Sequence, residues 1–137
     1  MEIRAYAHPY EPVDLLTVQG WDDATLARMP IQLVYHAAAD LDDQARTVER
    51  DCEALWAAME VREELIVLLE ALGVYPDRLA ALRDTQRIDR SNWGLGCRML
   101  RECGEQQARL QWTLSHRDPH HWVEDETDPY AAEPLHP

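Results

Sequence analysis

Along residues 40–72 apolar side chains return at alternating steps of four and three: Leu41, Ala45, Val48, Cys52, Leu55, Met59, Ile66 and Leu69. Arg62 is the single break in the series, and a second column, Val61, Leu65, Leu68 and Leu72, widens the stripe towards its end. This heptad-like spacing gathers one continuous face on a helix and predicts packing along its length against other helices. Asp40 stands where an N-cap is expected, Asp42 and Asp43 sit at the positive end of the helix dipole, and Gly73 suits the position just past the last turn. At 1.5 Å per residue such a helix is about 50 Å long.

The flanking segments are shorter. Residues 1–9 alternate weakly and predict a short extended arm, interrupted by Pro9 and Pro12. Val13 to Val18 predicts a turn and a half of helix closed by Gly20. Asp22 or Asp23 is the expected N-cap of a helix over 24–29, which Pro30 ends, and a further helix is expected over 31–39. Downstream, Val74-Tyr75-Pro76-Asp77 predicts a tight connection, with Leu79 and Leu82 opening a helix that runs to about Arg87. Gly94 and Gly96 together cost roughly 2 kcal/mol in a helix interior, so a loop or kink is expected over 91–96. Trp93, bracketed by Arg90 and Arg98, is expected to anchor that junction in the core. The helical pattern resumes at Cys97 with Leu100, Cys103, Gln107, Leu110 and Leu114, and ends near Ser115.

The fold expected is therefore all-α: a bundle of about four or five helices built on the long helix 40–72, with a short extended N-terminus. One domain covers 1–117. A tail over 118–137 follows, with four prolines, six acids and no arginine.

Charge changes the picture more than composition does. The 137 residues carry 26 acids against 13 basic residues, all arginine, for a net charge of −13. Phosphate binding needs clustered cations, so direct nucleic-acid binding and attachment to an anionic membrane are disfavoured. The longest aliphatic run, Leu65 to Leu69, is far below the roughly 20 residues that span a bilayer, and the N-terminus has no signal-peptide pattern. With three cysteines, Cys52, Cys97 and Cys103, the reading is a cytoplasmic protein whose thiols are reduced and structural.

The charge is also unevenly distributed. Residues 1–77 are net −11, residues 78–117 net +4 and the tail net −6. With Leu41 as a d position, Asp42, Glu49, Glu63 and Glu70 share one e column, which Trp56 completes. Arg83, Arg87, Arg90 and Arg101 form a stripe of their own, and an antiparallel return would set these cations beside the acidic edge.

Catalytic signatures are weak. His116, Asp118, His120 and His121 are the densest set of metal-ligand types, but Pro119 forbids the helix that a His-x-x-x-His pair needs. A polar helix terminus and tail accounts for them, and no metal or cofactor is expected. Glu63-Glu64-Leu65-Ile66-Val67-Leu68-Leu69-Glu70 superficially resembles the Glu-Glu-x-x-Glu helix of the MazG-like nucleotide pyrophosphohydrolases. The resemblance implies a magnesium-binding carboxylate cluster, yet Val67 occupies the third carboxylate position and no later Glu-x-x-Asp follows. A solvated acidic face is the better account. Neither a Gly-x-Ser-x-Gly elbow nor a dinucleotide glycine fingerprint is present.

The function expected first is non-enzymatic: an acidic module that occupies a basic surface on a partner protein, as a nucleic-acid-mimicking inhibitor or an immunity protein does. Asp42, Glu49, Glu53, Glu60, Glu63 and Glu64 are the candidate contact residues. The alternative is a homo-oligomeric structural or assembly protein, virion-like or chaperone-like, which exposure of Val61, Leu65, Leu68 and Leu72 would favour. The third reading is a small metal enzyme using helix carboxylates or the histidines near the tail.

Overall fold

The computed structural model of the chain describes residues 10–119. The expected N-terminal arm (1–9) and nearly all of the expected tail lie outside those residues. Four helices account for the described chain: α1 (Leu15–Gln19), α2 (Asp23–Arg28), α3 (Ile31–Leu72) and α4 (Pro76–Arg117). There is no strand among the described residues.

Local chemistry sets the short elements. Asp14 caps α1, accepting from the backbone N–H and the hydroxyl of Thr17 at 2.9 and 2.8 Å. Gly20 closes it, its N–H reaching Leu16 and Thr17 carbonyls. Asp22, rather than Asp23, caps α2 by accepting from the Thr25 N–H at 2.8 Å. These bonds hold the Asp14 and Asp22 carboxyls below their ordinary range. Pro30 separates α2 from α3, and its carbonyl accepts the first bonds of the new helix.

The long helix is longer than the pattern over 40–72 suggested. It begins at Ile31, so Asp40 lies inside it and caps nothing. Asp40 instead accepts from the Val13 N–H at 2.8 Å and stands 3.2 Å from His36 Nε2. Ile31, Val34 and Ala38 continue the phase of Leu41 backwards, and Val34 and Leu41 are wholly buried.

The break expected over 91–96 does not occur. One helix runs through Gly94 and Gly96 to Arg117, fusing the two helices predicted on either side. A Cβ on Gly96 would collide with Cys52 Sγ, whereas nothing approaches Gly94. Gly96 thus marks a close approach of α4 to α3, and packing offsets its intrinsic helix penalty. Trp93 sits half-buried on an uninterrupted helix, not at a junction.

The link between α3 and α4 is the tight one expected. Gly73 takes φ +67° and returns its N–H to Leu69 O at 2.9 Å. Tyr75 also adopts positive φ, with Arg78 stacked over its ring. Pro76 then opens α4, with Asp77 in the first turn.

Two compact units divide the chain. The first joins the described parts of Met1–Asp43 and Cys103–Pro137, hence α1, α2, the start of α3 and the end of α4. All of the largest wholly buried side chains belong to it: Val18, Val34, Leu41, Cys103, Leu110 and Leu114. The second unit, Gln44–Glu102, is an antiparallel pair made of the rest of α3 and α4. Its core is one seam, Cys52, Met59, Ile66 and Leu69 from α3 with Gln86 from α4.

Candidate functional site

In the second unit, α4 follows the same alternation as α3, through Leu79, Leu82, Gln86, Asp89, Trp93, Gly96 and Leu100, all buried or half-buried. Leu79 is therefore an a position and Arg83 an e position. Arg83 pairs with Glu70, e against e, which puts the e and b columns of both helices on one flank.

A groove of about 520 Å³ opens on that flank. Glu49, Glu53, Trp56 and Glu60 supply its α3 side, Trp93 and Leu100 its α4 side, and Cys52 is among its lining. Spacings of four, three and four residues put the α3 members on one stripe of the helix. The Trp56 and Trp93 rings meet at 4.9 Å between centroids, tilted by 42°. Trp56 is nearly half exposed, so the groove offers an aromatic surface to solvent with three carboxylates around it. No basic side chain lines it. Among the described residues no ion pair engages Glu49, Glu53 or Glu60.

The six candidate contacts fall differently. Glu49, Glu53 and Glu60 are brought together in this groove. Glu63 is exposed and accepts from Gln86 Nε2 at 3.2 Å. Glu64 is exposed at an f position, away from the groove lining, and Asp42 is an exposed residue of the first unit. Trp93 and Leu100 are absent from the acidic column because they enter from α4, and only the helix register reveals them.

The arginine stripe meets the acidic edge at Arg83. It reaches Glu70, and both are about half exposed, so the pair contributes roughly 0–1 kcal/mol. Arg87 turns to Asp84 on its own helix at 2.6 Å. Arg90 and Arg101 are exposed.

No disulfide joins Cys52, Cys97 and Cys103. Cys103 is wholly buried and Cys97 half-buried beside Cys52. Burial, then the neighbouring Cys97 thiol, pushes the Cys52 thiol above its ordinary range.

A second cavity, also about 520 Å³, lies in the first unit between α2 and the end of α4. Its two arginines are committed to the fold: Arg109 donates to Trp21 O at 2.7 Å, and Arg117 to Leu26 O at 2.6 Å. His116 stacks on Trp112 and bonds its carbonyl at 2.8 Å, while His120 and His121 lie outside the described residues. Among the described residues no group of three or more His, Cys, Asp or Glu side chains is arranged to hold a metal ion. No helix there is long and apolar enough to cross a membrane.

No family model matches the sequence, and no curated protein or solved structure matches it either.

Proposed function

We propose that the protein is a non-enzymatic binding module that engages a basic surface of a partner protein through the acidic flank of α3. The observation carrying this reading is the Trp56–Trp93 groove with its three carboxylates. An arginine or lysine side chain fits such a place twice over. Its apolar stem lies on the indole faces, its cation is attracted by their π-systems, and its N–H groups donate to Glu49, Glu53 or Glu60. Proteins that bind nucleic acid present clustered cations of this kind, so an inhibitor acting by charge mimicry is the form this function takes.

The test is capture from lysate by the full chain, followed by salt elution. A basic partner retained in low salt and released in high salt is the expected result. Glu49→Gln, Glu53→Gln and Glu60→Gln combined should abolish capture. Unchanged capture by that triple variant would remove the proposal.

A second reading, a subunit of a homo-oligomeric assembly, is favoured by a separate observation. Val61, Leu65, Leu68 and Leu72 are 40–68% exposed.

A further inference from the structure

The second unit has a single-layer core. None of its side chains is among the wholly buried ones, all of which lie in the first unit. A two-helix pair that buries only one seam is short of the apolar burial that stabilises a domain. The unit also carries a further face, on the flank away from the acidic groove.

On α3 that face is the column of c and g positions, Ala54, Ala58, Val61, Leu65, Leu68 and Leu72, spaced four, three, four, three and four. Every member is exposed. On α4 the c and g positions between 81 and 99 also hold no charged residue, and Ile88, Leu95 and Met99 are 57%, 51% and 37% exposed. Because e faces e on one flank, g faces g on the other, so the two columns adjoin. Helices with two such seams belong in a four-helix bundle, where each packs on two neighbours. The chain supplies two of the four helices.

We infer that this face docks on the same face of a second copy, giving a two-fold four-helix bundle. Size supports that occupant. Nineteen residues of helix are about 28 Å long and two helices about 20 Å wide, so each copy covers roughly 560 Å². The pair buries about 1,100 Å², which clears the roughly 1,000 Å² expected of a biological interface. Charge disfavours the basic partner proposed above, since the c and g columns over 54–72 and 81–99 offer it no carboxylate. A second copy presents an equally uncharged, two-column surface, and a two-fold contact matches the face to itself. The groove carboxylates Glu49, Glu53 and Glu60 of each copy stay on the opposite flank. The inference rests on the assembly reading and names its contact surface.

Light scattering on the full chain over the micromolar range tests it. The expected mass is twice 15.9 kDa. Leu65→Arg and Ile88→Arg should each lose the dimer with helical circular dichroism unchanged. Val67→Arg, on the acidic flank of the same helix, should keep it. If Leu65→Arg loses helicity, the milder Ala58→Glu is read in its place. A monomeric wild-type chain overturns the inference and the assembly reading together. An oligomer that survives Leu65→Arg and Ile88→Arg overturns the inference alone.

Discussion

Arg62 of α3 donates to Asp89 Oδ2 of α4 at 2.8 Å, and the same nitrogen reaches Gln86 Oε1 at 2.9 Å. The two charged side chains are only 17% and 19% exposed, so the pair sits in the helix seam and not on its rim. Gln86 is buried and held in turn by Met59 O at 2.8 Å. The residue that breaks the apolar series on one helix is therefore met by two polar residues at seam positions of the other.

Removing one partner should cost more than removing both. Asp89→Leu leaves a largely buried guanidinium with one acceptor fewer, and is expected to destabilise by about 1–3 kcal/mol in urea unfolding. Arg62→Leu with Asp89→Leu replaces the pair by apolar bulk, and should lie within about 1 kcal/mol of wild type. Strictly additive losses in this double-mutant cycle would show that the pair is not coupled.

The glycines of α4 should separate by sign. A Cβ added at Gly94 or Gly104 would have nothing within 4 Å, and both sit in helix interior, so Gly94→Ala and Gly104→Ala should each stabilise by roughly 0.5–1 kcal/mol. Gly96→Ala drives a Cβ into Cys52 Sγ and should destabilise instead. Adding Cys52→Ala to Gly96→Ala should recover part of the loss in thermal unfolding. A Gly96→Ala protein as stable as Gly94→Ala would refute the close approach.

These two sites also mark the limit of what the sequence discloses. The seam from Leu41 to Leu69 is legible because apolar side chains mark almost every turn. Over 86–96 the seam of α4 holds Gln86, Asp89, Trp93 and Gly96, which reads as a lapse of pattern until α3 is alongside. Each is there for its opposite number: Gln86 and Asp89 for Arg62, Trp93 for Trp56, Gly96 for Cys52. Asp40 misleads for a related reason, because its carboxylate serves Val13 across the fold instead of a helix terminus. The carboxylates of the groove are readable on α3 alone. The aromatic half of that groove is not, since Trp56 gains Trp93 only through tertiary register.

In the first unit, Arg117 and Arg109 of α4 hold the two ends of α2. Arg117 donates to Leu26 O, one of the terminal carbonyls of α2, and Arg109 to Trp21 O just ahead of that helix. A helix of six residues has little stability of its own. Arg117→Leu and Arg109→Leu should therefore raise amide hydrogen exchange selectively in α1 and α2, leaving residues 44–102 at the wild-type rate. Uniform acceleration throughout the chain would mean that the arginines support the whole fold rather than this attachment.

The Tyr35 hydroxyl donates to Asp118 Oδ2 at 2.6 Å, and burial together with this carboxylate pushes its pKa up from 10.0 to about 12. The folded chain thus keeps this proton after the unfolded chain has lost it. The contribution to stability is whole below pH 10, falls between 10 and 12, and is gone above. Cys52 acts with the same sign from a lower start, near 9.0, since burial raises its thiol as well. Urea unfolding should accordingly show a midpoint that begins to decline near pH 9 and falls further between 10 and 12. Tyr35→Phe should lower the midpoint at neutral pH, where the hydrogen bond is intact, yet flatten the decline between 10 and 12. Absorbance titration of tyrosinate supplies the check, because the latest step must vanish in Tyr35→Phe. If that step persists in the variant, another tyrosine carries it and the Tyr35–Asp118 bond is not the source of the alkaline sensitivity.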